Sequence, residues 1–438
     1  MGSKDIVDLC KRHTVYAWTA GSSVSPLPIE RAEGVYVWTA DGDKLLDLAS
    51  QSISVNIGHG HPAVRAAMKE AADDLIYAAP SAATRARAEL GQLLAEMTPK
   101  SFNKFFFTLG GAEANENAIK MAQQFTGRPK IIGRYHSYHG ATAATAALGG
   151  DPRRRYSPDV PGFLHVPDSE SGVGSFGESD AEKIQNYLNY IENVIRLEGP
   201  DQIAAMFIES IPGTNGVLIP PAGLLSGLAS LLERYEILLV CDEVLTGFGR
   251  TGELFAFEHE GIEPDLVTMA KGLSSSYVPL GAVAVSDPIA SYFDEHVFGG
   301  GLTYNSHPFL LNVAAATLRV LREEGLVENA AALGGYLSSR LEALSARHPC
   351  VVGFRSRGLL GALELDTSIA NSLWQNPNRP LTDHAKVLVK GLRARGVYAM
   401  IRFNILFVCP PLCITEDELG LGLDAIDAEL YEMDKLLG

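Results

Sequence analysis

Three apolar runs in this 438-residue sequence end in residues that can do chemistry: AAMFIE in Glu209, ILLVCD in Asp242 and VTMAK in Lys271. A lysine amine can hold a carbonyl compound as a Schiff base or carry a proton, and a buried carboxylate steadies a cationic partner. In open α/β sheets such tips face one ligand cleft beyond the carboxyl ends of the strands. Charges there are costly to hold unless they are paired or used. From these residues alone, a structural ion pair between Asp242 and Lys271 and a working pair stand level.

A second set of residues suits an anion and a flat ring. KFFFTL is followed by GGAEANENAIKMAQQF, two glycines and then the opening of a helix. Gly110 and Gly111 let the chain turn tightly, and the N–H groups of Gly111 and Ala112, with the positive end of the helix dipole, suit a phosphate. By itself a Gly-Gly pair is more often a plain strand–helix connection. The run is neither G-x-x-x-x-G-K-[ST] nor G-x-G-x-x-G, so a nucleotide is not indicated. In YHSYHGAT, Tyr138 falls beyond a strand tip beside His139 and Gly140, where Tyr138 and His139 are candidates to wall a cofactor ring. A tyrosine there is also commonly ordinary packing. His136 and His139 have no carboxylate or thiolate pattern to complete a metal site, and no metal is expected.

Such residues need a sheet that brings strand tips to one edge. Candidate strands KFFFTL, KIIGRY, AAMFIES, ILLVCDE, DLVTMAK and GAVAVS alternate with helical stretches such as AEKIQNYLNYIENVIRLEG and LLSGLASLLERYE. Continuous apolar runs mark strands buried on both faces, so the class is α/β, with a mostly parallel sheet flanked by helices. GVYVWTADGDKLLDL reads as a hairpin around its Asp-Gly pair, and PAVRAAMKEAADDLIYAA as a helix. From about Val327 a helix, GLLGALEL, another helix, NILFVCPP and a last helix read as a smaller α+β domain joined by the N-terminal strands. The expected division is 1–60 as an N-terminal segment of the small domain, 61–326 as the large domain and 327–438 as the C-terminal part of the small domain.

Composition excludes several classes. The chain is 46% hydrophobic and 20% charged, as for an ordinary globular enzyme. Its formal net charge is −16, and its densest basic run, Arg153 to Arg155, lies beside Asp151 and Asp159. Nucleic acid is therefore not an expected partner; the run reads first as a solvated loop, and facing an acidic donor is the alternative. No apolar run reaches the roughly 18 residues of a membrane helix. The start, MGSKDIVDLCKRH, has no signal-like apolar stretch, so a cytoplasmic enzyme is expected. The five cysteines are odd in number and lack C-x-x-C spacing, which suits reduced, structural thiols.

The stretch LLVCDEVLTGFGRTGELFAFEHEGIEPDLVTMAKGLSSSYVPLGAV closely resembles the signature of class III (omega) aminotransferases of pyridoxal 5′-phosphate (PLP) fold type I. GGAEANENAIK, YHGAT, GLTYNSHP and CPPLCITEDEL are similar to further blocks of that family in the same order, and the resemblance runs from about residue 30 to 435. It implies that Lys271 holds the PLP aldehyde as a Schiff base and that Asp242 pairs with the ring nitrogen. It implies that Val244 packs beneath the ring and Tyr138 stacks on the other face, with Glu209 supporting the polar edge. Gly111 and Ala112 would bind the phosphate through backbone N–H groups, and Thr303 would reach it from a partner subunit. A homodimer is thereby implied, and a tetramer is compatible.

Three positions depart from the family pattern. Gly110 stands where Ser is common, Leu245 where Gln is common near the ring hydroxyl, and SIPGTNG where Pro-Val-Gln-Gly is frequent. The implied reaction moves an amino group from an omega-amino acid or amine to a keto acid, pyruvate being the expected acceptor and 2-oxoglutarate the alternative. Arg402 resembles a carboxylate-binding arginine, with a surface arginine at a strand edge as the lesser reading. Tyr16 and Trp18 resemble donor-pocket aromatics, or are hairpin packing. An aminomutase, a racemase or a dialkylglycine-type decarboxylase would share the same cofactor residues. A PLP-binding regulator without turnover has no appended DNA-binding domain to recommend it.

Overall fold

The computed structural model describes residues 2–170, 176–370 and 382–437. By its internal contacts the chain divides into two units, Met1–Pro62 with Glu328–Gly438, and Ala63–Val327. In the first unit the helix Ser3–His13 is followed by β1 (Ile29–Glu33), β2 (Tyr36–Thr39) and β3 (Lys44–Asp47). β2 and β3 pair antiparallel with Val37 opposite Leu45, and residues 40–43 make the turn, so the Asp-Gly pair sits where the sequence suggests. Gly42 has φ 94°, which a residue with a side chain adopts only under strain.

The second unit is built on a seven-stranded sheet. Its strands are β4 (Phe102–Thr108), β5 (Lys130–Arg134), β6 (Phe163–Val166), β7 (Ile203–Glu209), β8 (Leu238–Asp242), β9 (Leu266–Met269) and β10 (Gly281–Ser286), in the order β4-β10-β9-β8-β7-β5-β6. All seven residues of β7 and all five of β8 are buried, which is why both read as unbroken apolar runs. β10 is the one reversed strand, antiparallel to both β4 and β9. An apolar run carries no direction, so the reversal was not legible. β6 is a short, half-exposed edge strand, and FLHV carries too little pattern to be read.

The helix Gly111–Thr126 lays Ala114, Ala118, Met121 and Ala122 on Phe207, Val240 and Val283 of the sheet. Small alanines let helix and sheet approach closely, and each large apolar side chain so buried stabilises by about 1.5–3 kcal/mol. The long helix Asp180–Glu198 starts on a capping box, in which Ser179 accepts from the Glu182 N–H and the Glu182 carboxylate accepts from the Ser179 N–H. The helix from Pro62 stops at Asp73, short of the expected LIYAA. Asp73 and Asp74 place negative charge at its C-terminal end, where the dipole opposes it.

The rest of the first unit carries β11 (Val351–Arg357), β12 (Leu360–Leu365), β13 (Val397–Tyr398), β14 (Met400–Arg402) and β15 (Ile405–Val408). β11, β12, β15 and β14 form an antiparallel sheet, and β13 adds to β3 in parallel. No helix among the described residues is long and apolar enough to cross a membrane.

Candidate active site

β4, β5, β7, β8 and β9 point the same way, so their carboxyl ends and the loops after them share one edge of the sheet. The reversed β10 adds the residues just before it, Val278 to Leu280, to the same edge. A cavity of about 330 Å³ opens there, lined among others by Gly110, Gly111, Ala112, Tyr138, His139, Glu209, Asp242, Val244 and Lys271. These nine sequence candidates come from five different strand ends.

Three donors converge on the buried Asp242. The Val244 N–H reaches Oδ1 at 3.0 Å, while Asn115 Nδ2 and His139 Nδ1 reach Oδ2 at 2.8 and 2.7 Å. A nitrogen facing a carboxylate carries the proton, so His139 donates through Nδ1 and its Nε2 stays buried without a protein partner. The Thr268 hydroxyl donates to Asn115 Oδ1 at 2.8 Å, which turns the amide NH2 toward Asp242 and the His139 carbonyl. Thr268 stands opposite Asp242 in the β8–β9 register. Neither Asn115 nor Thr268 was read from the sequence. The available signal was an asparagine, a weak helix former, one turn into an alanine-rich helix.

Glu209, opposite Asp242 in the β7–β8 register, accepts the Tyr138 N–H at 2.9 Å and the Gly213 N–H at 3.1 Å. Burial pushes its carboxyl upward. At the helix start, a Cβ on Gly111 would lie 2.9 Å from both Val244 methyls, so only glycine lets the helix's free N–H groups come so near this wall. Gly140 has φ 142°, and a Cβ there would meet Ala112 at 2.6 Å. Val244 and Leu245 follow Glu243, whose carboxylate accepts from Ser210, Thr246 and the Ala256 and Phe257 N–H groups. Burial pushes Glu243 up to about 7.

Lys271 opens a short 3-10 turn after β9 with φ 38°, a left-handed conformation that is strained for a residue with a side chain. Burial lowers its ammonium from 10.5 to about 8; Glu209 and Asp242 resist the fall, and Arg153 and Arg250 add to it. The neutral amine, the form that attacks a carbonyl, therefore builds up as pH rises through about 8. In the cofactor-free protein, aldehyde capture at Lys271 trapped with borohydride should rise between pH 7 and 9 and then level off, ahead of exposed lysines. Peptide mapping that finds Lys271 no more reactive than surface lysines at pH 8 contradicts this.

Arg153 is not part of a solvated loop. Asp151 opens the 3-10 turn Pro152–Tyr156 and grips Arg153 at Nε (2.8 Å) and Nη2 (3.1 Å). The guanidinium lies 3.5 Å from the Tyr138 ring centroid, while Arg155 is exposed. Thr303 is exposed and does not line the cavity of its own chain; its carbonyl accepts from the Tyr77 hydroxyl at 3.0 Å. In the first unit, Tyr16 and the exposed Trp18 lie between the helix Ser3–His13 and β1, not in the β2–β3 hairpin. Arg402 ends β14, half-buried, with its guanidinium 4.7 Å from the Phe403 ring centroid.

A helix start with free N–H groups, a buried carboxylate, a lysine of lowered pKa and a tyrosine face suit a ring that carries a phosphate, a cationic nitrogen and an aldehyde. The unpartnered His139 Nε2 and Thr214 Oγ1 show polar capacity left for a ligand. The Aminotransferase class-III family profile matches residues 18–430, and the chain belongs to that PLP-dependent family. It is 32% identical to an omega-aminotransferase of Caulobacter vibrioides, covering 93% of this chain and 94% of that one. It is 36% identical to a putrescine–pyruvate aminotransferase of Pseudomonas aeruginosa over 77% of this chain and 76% of that one. Its fold is similar to that of taurine:2-oxoglutarate aminotransferase from Bifidobacterium kashiwanohense in complex with PLP and glutamate, with TM-score 0.93, 34% identity and 99% of each chain covered. The chain is thus a class III omega aminotransferase.

Proposed function

We propose that this enzyme takes the amino group from an omega-amino acid whose far end is anionic and passes it to pyruvate by a ping-pong mechanism. Bound PLP supplies an electron sink that makes the C–H bond beside the substrate amine acidic. Asp242 keeps an anionic oxygen toward the ring nitrogen, its other lone pairs filled by Val244, Asn115 and His139. Lys271 Nζ would link the cofactor, and its freed amine would take the proton from the donor carbon and deliver it to the cofactor's former aldehyde carbon. Tyr138 and Val244 hold the ring faces, and Gly110, Gly111 and Ala112 hold the phosphate. One site serves both halves of the exchange, so the first product leaves before the acceptor binds.

Arg153 carries the choice of donor. Asp151 holds its guanidinium over the ring of Tyr138, a residue of the cavity wall. A guanidinium so placed suits a carboxylate or sulfonate at the end of a short donor such as β-alanine or taurine. Arg153→Gln should raise KM for such donors by roughly 10–100-fold while changing KM for amines without an acid group by less than about threefold. Equal losses for both kinds of donor overturn this role. Tyr16, Trp18 and Arg402 stay in the proposal as substrate residues on the resemblance alone.

Pyruvate as acceptor is supported by the putrescine–pyruvate relative. The second reading, 2-oxoglutarate, is supported by likeness to the taurine:2-oxoglutarate enzyme. Steady-state rates with each keto acid at a fixed donor decide between them. A homodimer is part of the proposal: Leu75, Ile76, Tyr77 and Tyr304 are exposed around Thr303, an apolar face suited to burial by a second copy that receives Thr303 at its phosphate.

A further inference from the structure

The SIPGTNG loop after β7 and Leu245 are the departures that the catalytic reading does not use, and in the structure they meet. Gly213 packs so close to Leu245 that a Cβ would lie 2.6 Å from both leucine δ-carbons, and its N–H is tied to Glu209. The next residue, Thr214, lines the cavity together with Glu209 and Leu245. Its Oγ1 is buried and has no hydrogen-bond partner in the protein, and neither does either amide atom of Asn215, a residue 1% exposed. Buried polar atoms are rarely left so, and Thr214 Oγ1, on a residue of the cavity wall, is the one of these that a bound ligand can satisfy.

The sheet order says which part of the ligand. Asp242, the partner of the ring nitrogen, ends β8; the phosphate turn follows β4, on one side of β8, and Thr214 follows β7, on the other. On the pyridine ring of PLP the phosphate arm and the hydroxyl lie on opposite flanks of the line through the nitrogen and the aldehyde carbon. A ring with its nitrogen at Asp242 and its phosphate toward β4 turns its hydroxyl toward β7.

We propose that the Thr214 hydroxyl donates a hydrogen bond to the ring hydroxyl oxygen of PLP, the polar contact that the apolar Leu245 beside it does not make. This rests on the functional reading above. A donor to that oxygen draws off part of its negative charge, so the neighbouring lysine-linked nitrogen holds its proton less tightly. Thr214 thereby helps set both cofactor affinity and the pH at which the visible band of the lysine-bound cofactor changes.

The test is a PLP titration of the cofactor-free protein, followed by a pH titration of the visible band, for the parent, Thr214→Val, Thr214→Ser and Thr214→Val/Leu245→Gln. Thr214→Val should weaken PLP binding roughly tenfold and move the band's titration to higher pH. Thr214→Ser should match the parent, and the added glutamine should restore part of the loss. Parent-like affinity and titration in Thr214→Val overturn the proposal, as does Thr214→Ser behaving like Thr214→Val. A change confined to donor KM also overturns it, because the hydroxyl then serves the substrate. Failure of the parent itself to bind PLP overturns the functional reading, and this proposal with it.

Discussion

Lys271→Ala is expected to lower steady-state transamination by roughly ten-thousandfold while the protein still takes up PLP. The lysine is asked for two things no neighbour can supply. It provides the amine that links the cofactor, and then the base that moves the proton at the donor carbon. Arg153 and Arg250 both lie close enough to depress the lysine, but a guanidinium does not deprotonate in this range. Binding survives because the phosphate turn and Asp242 belong to other strands and do not depend on Lys271. The variant should show PLP absorbance without the lysine-linked band, and adding a small primary amine should recover part of the rate. Turnover within tenfold of the parent would mean that another group carries the proton.

Asp242→Asn is expected to cut turnover by roughly 100–1,000-fold at the proton-abstraction step. The loss has two sources. An asparagine has no charge with which to keep the ring nitrogen protonated. It also offers one acceptor oxygen where three donors converge, so its NH2 faces either the Val244 N–H or the Asn115 and His139 donors. A primary deuterium isotope effect on the donor carbon should grow in the variant as proton transfer becomes limiting. Unchanged turnover, or an unchanged isotope effect, would place the electron-sink function elsewhere.

The parts of the site most legible in the sequence were those that end a buried strand. Glu209, Asp242 and Lys271 stood out because a charge closing an apolar run is physically costly, whatever the fold. The helix start at Gly111 was legible for a similar reason, since paired glycines before a helix leave N–H groups free. What was lost needed a second strand to be visible. Asn115 and Thr268 act through each other and through Asp242, across a separation in sequence that no local pattern spans. Glu243 was hidden by its neighbour: its four donors come from Ser210, Thr246, Ala256 and Phe257, and only the folded loop brings them together. Three consecutive arginines favour a solvated loop over a donor-facing role on sequence alone; a bidentate grip by Asp151 sets Arg153 apart from the others. The direction of β10 was not legible either, and it is what carries Val278 and Leu280 to the cavity edge.

The most direct test of the whole account is a single half-reaction. The PLP-loaded protein is mixed with β-alanine or taurine and no keto acid, and its visible spectrum is followed. The account predicts that the band of the lysine-bound cofactor fades while a near-ultraviolet band of the aminated cofactor grows, with one carbonyl product released per site. Adding a keto acid alone should then restore the original band. A band that survives a full panel of amine donors, while amino substrates are isomerised or lose carbon dioxide, would contradict amino transfer at this site.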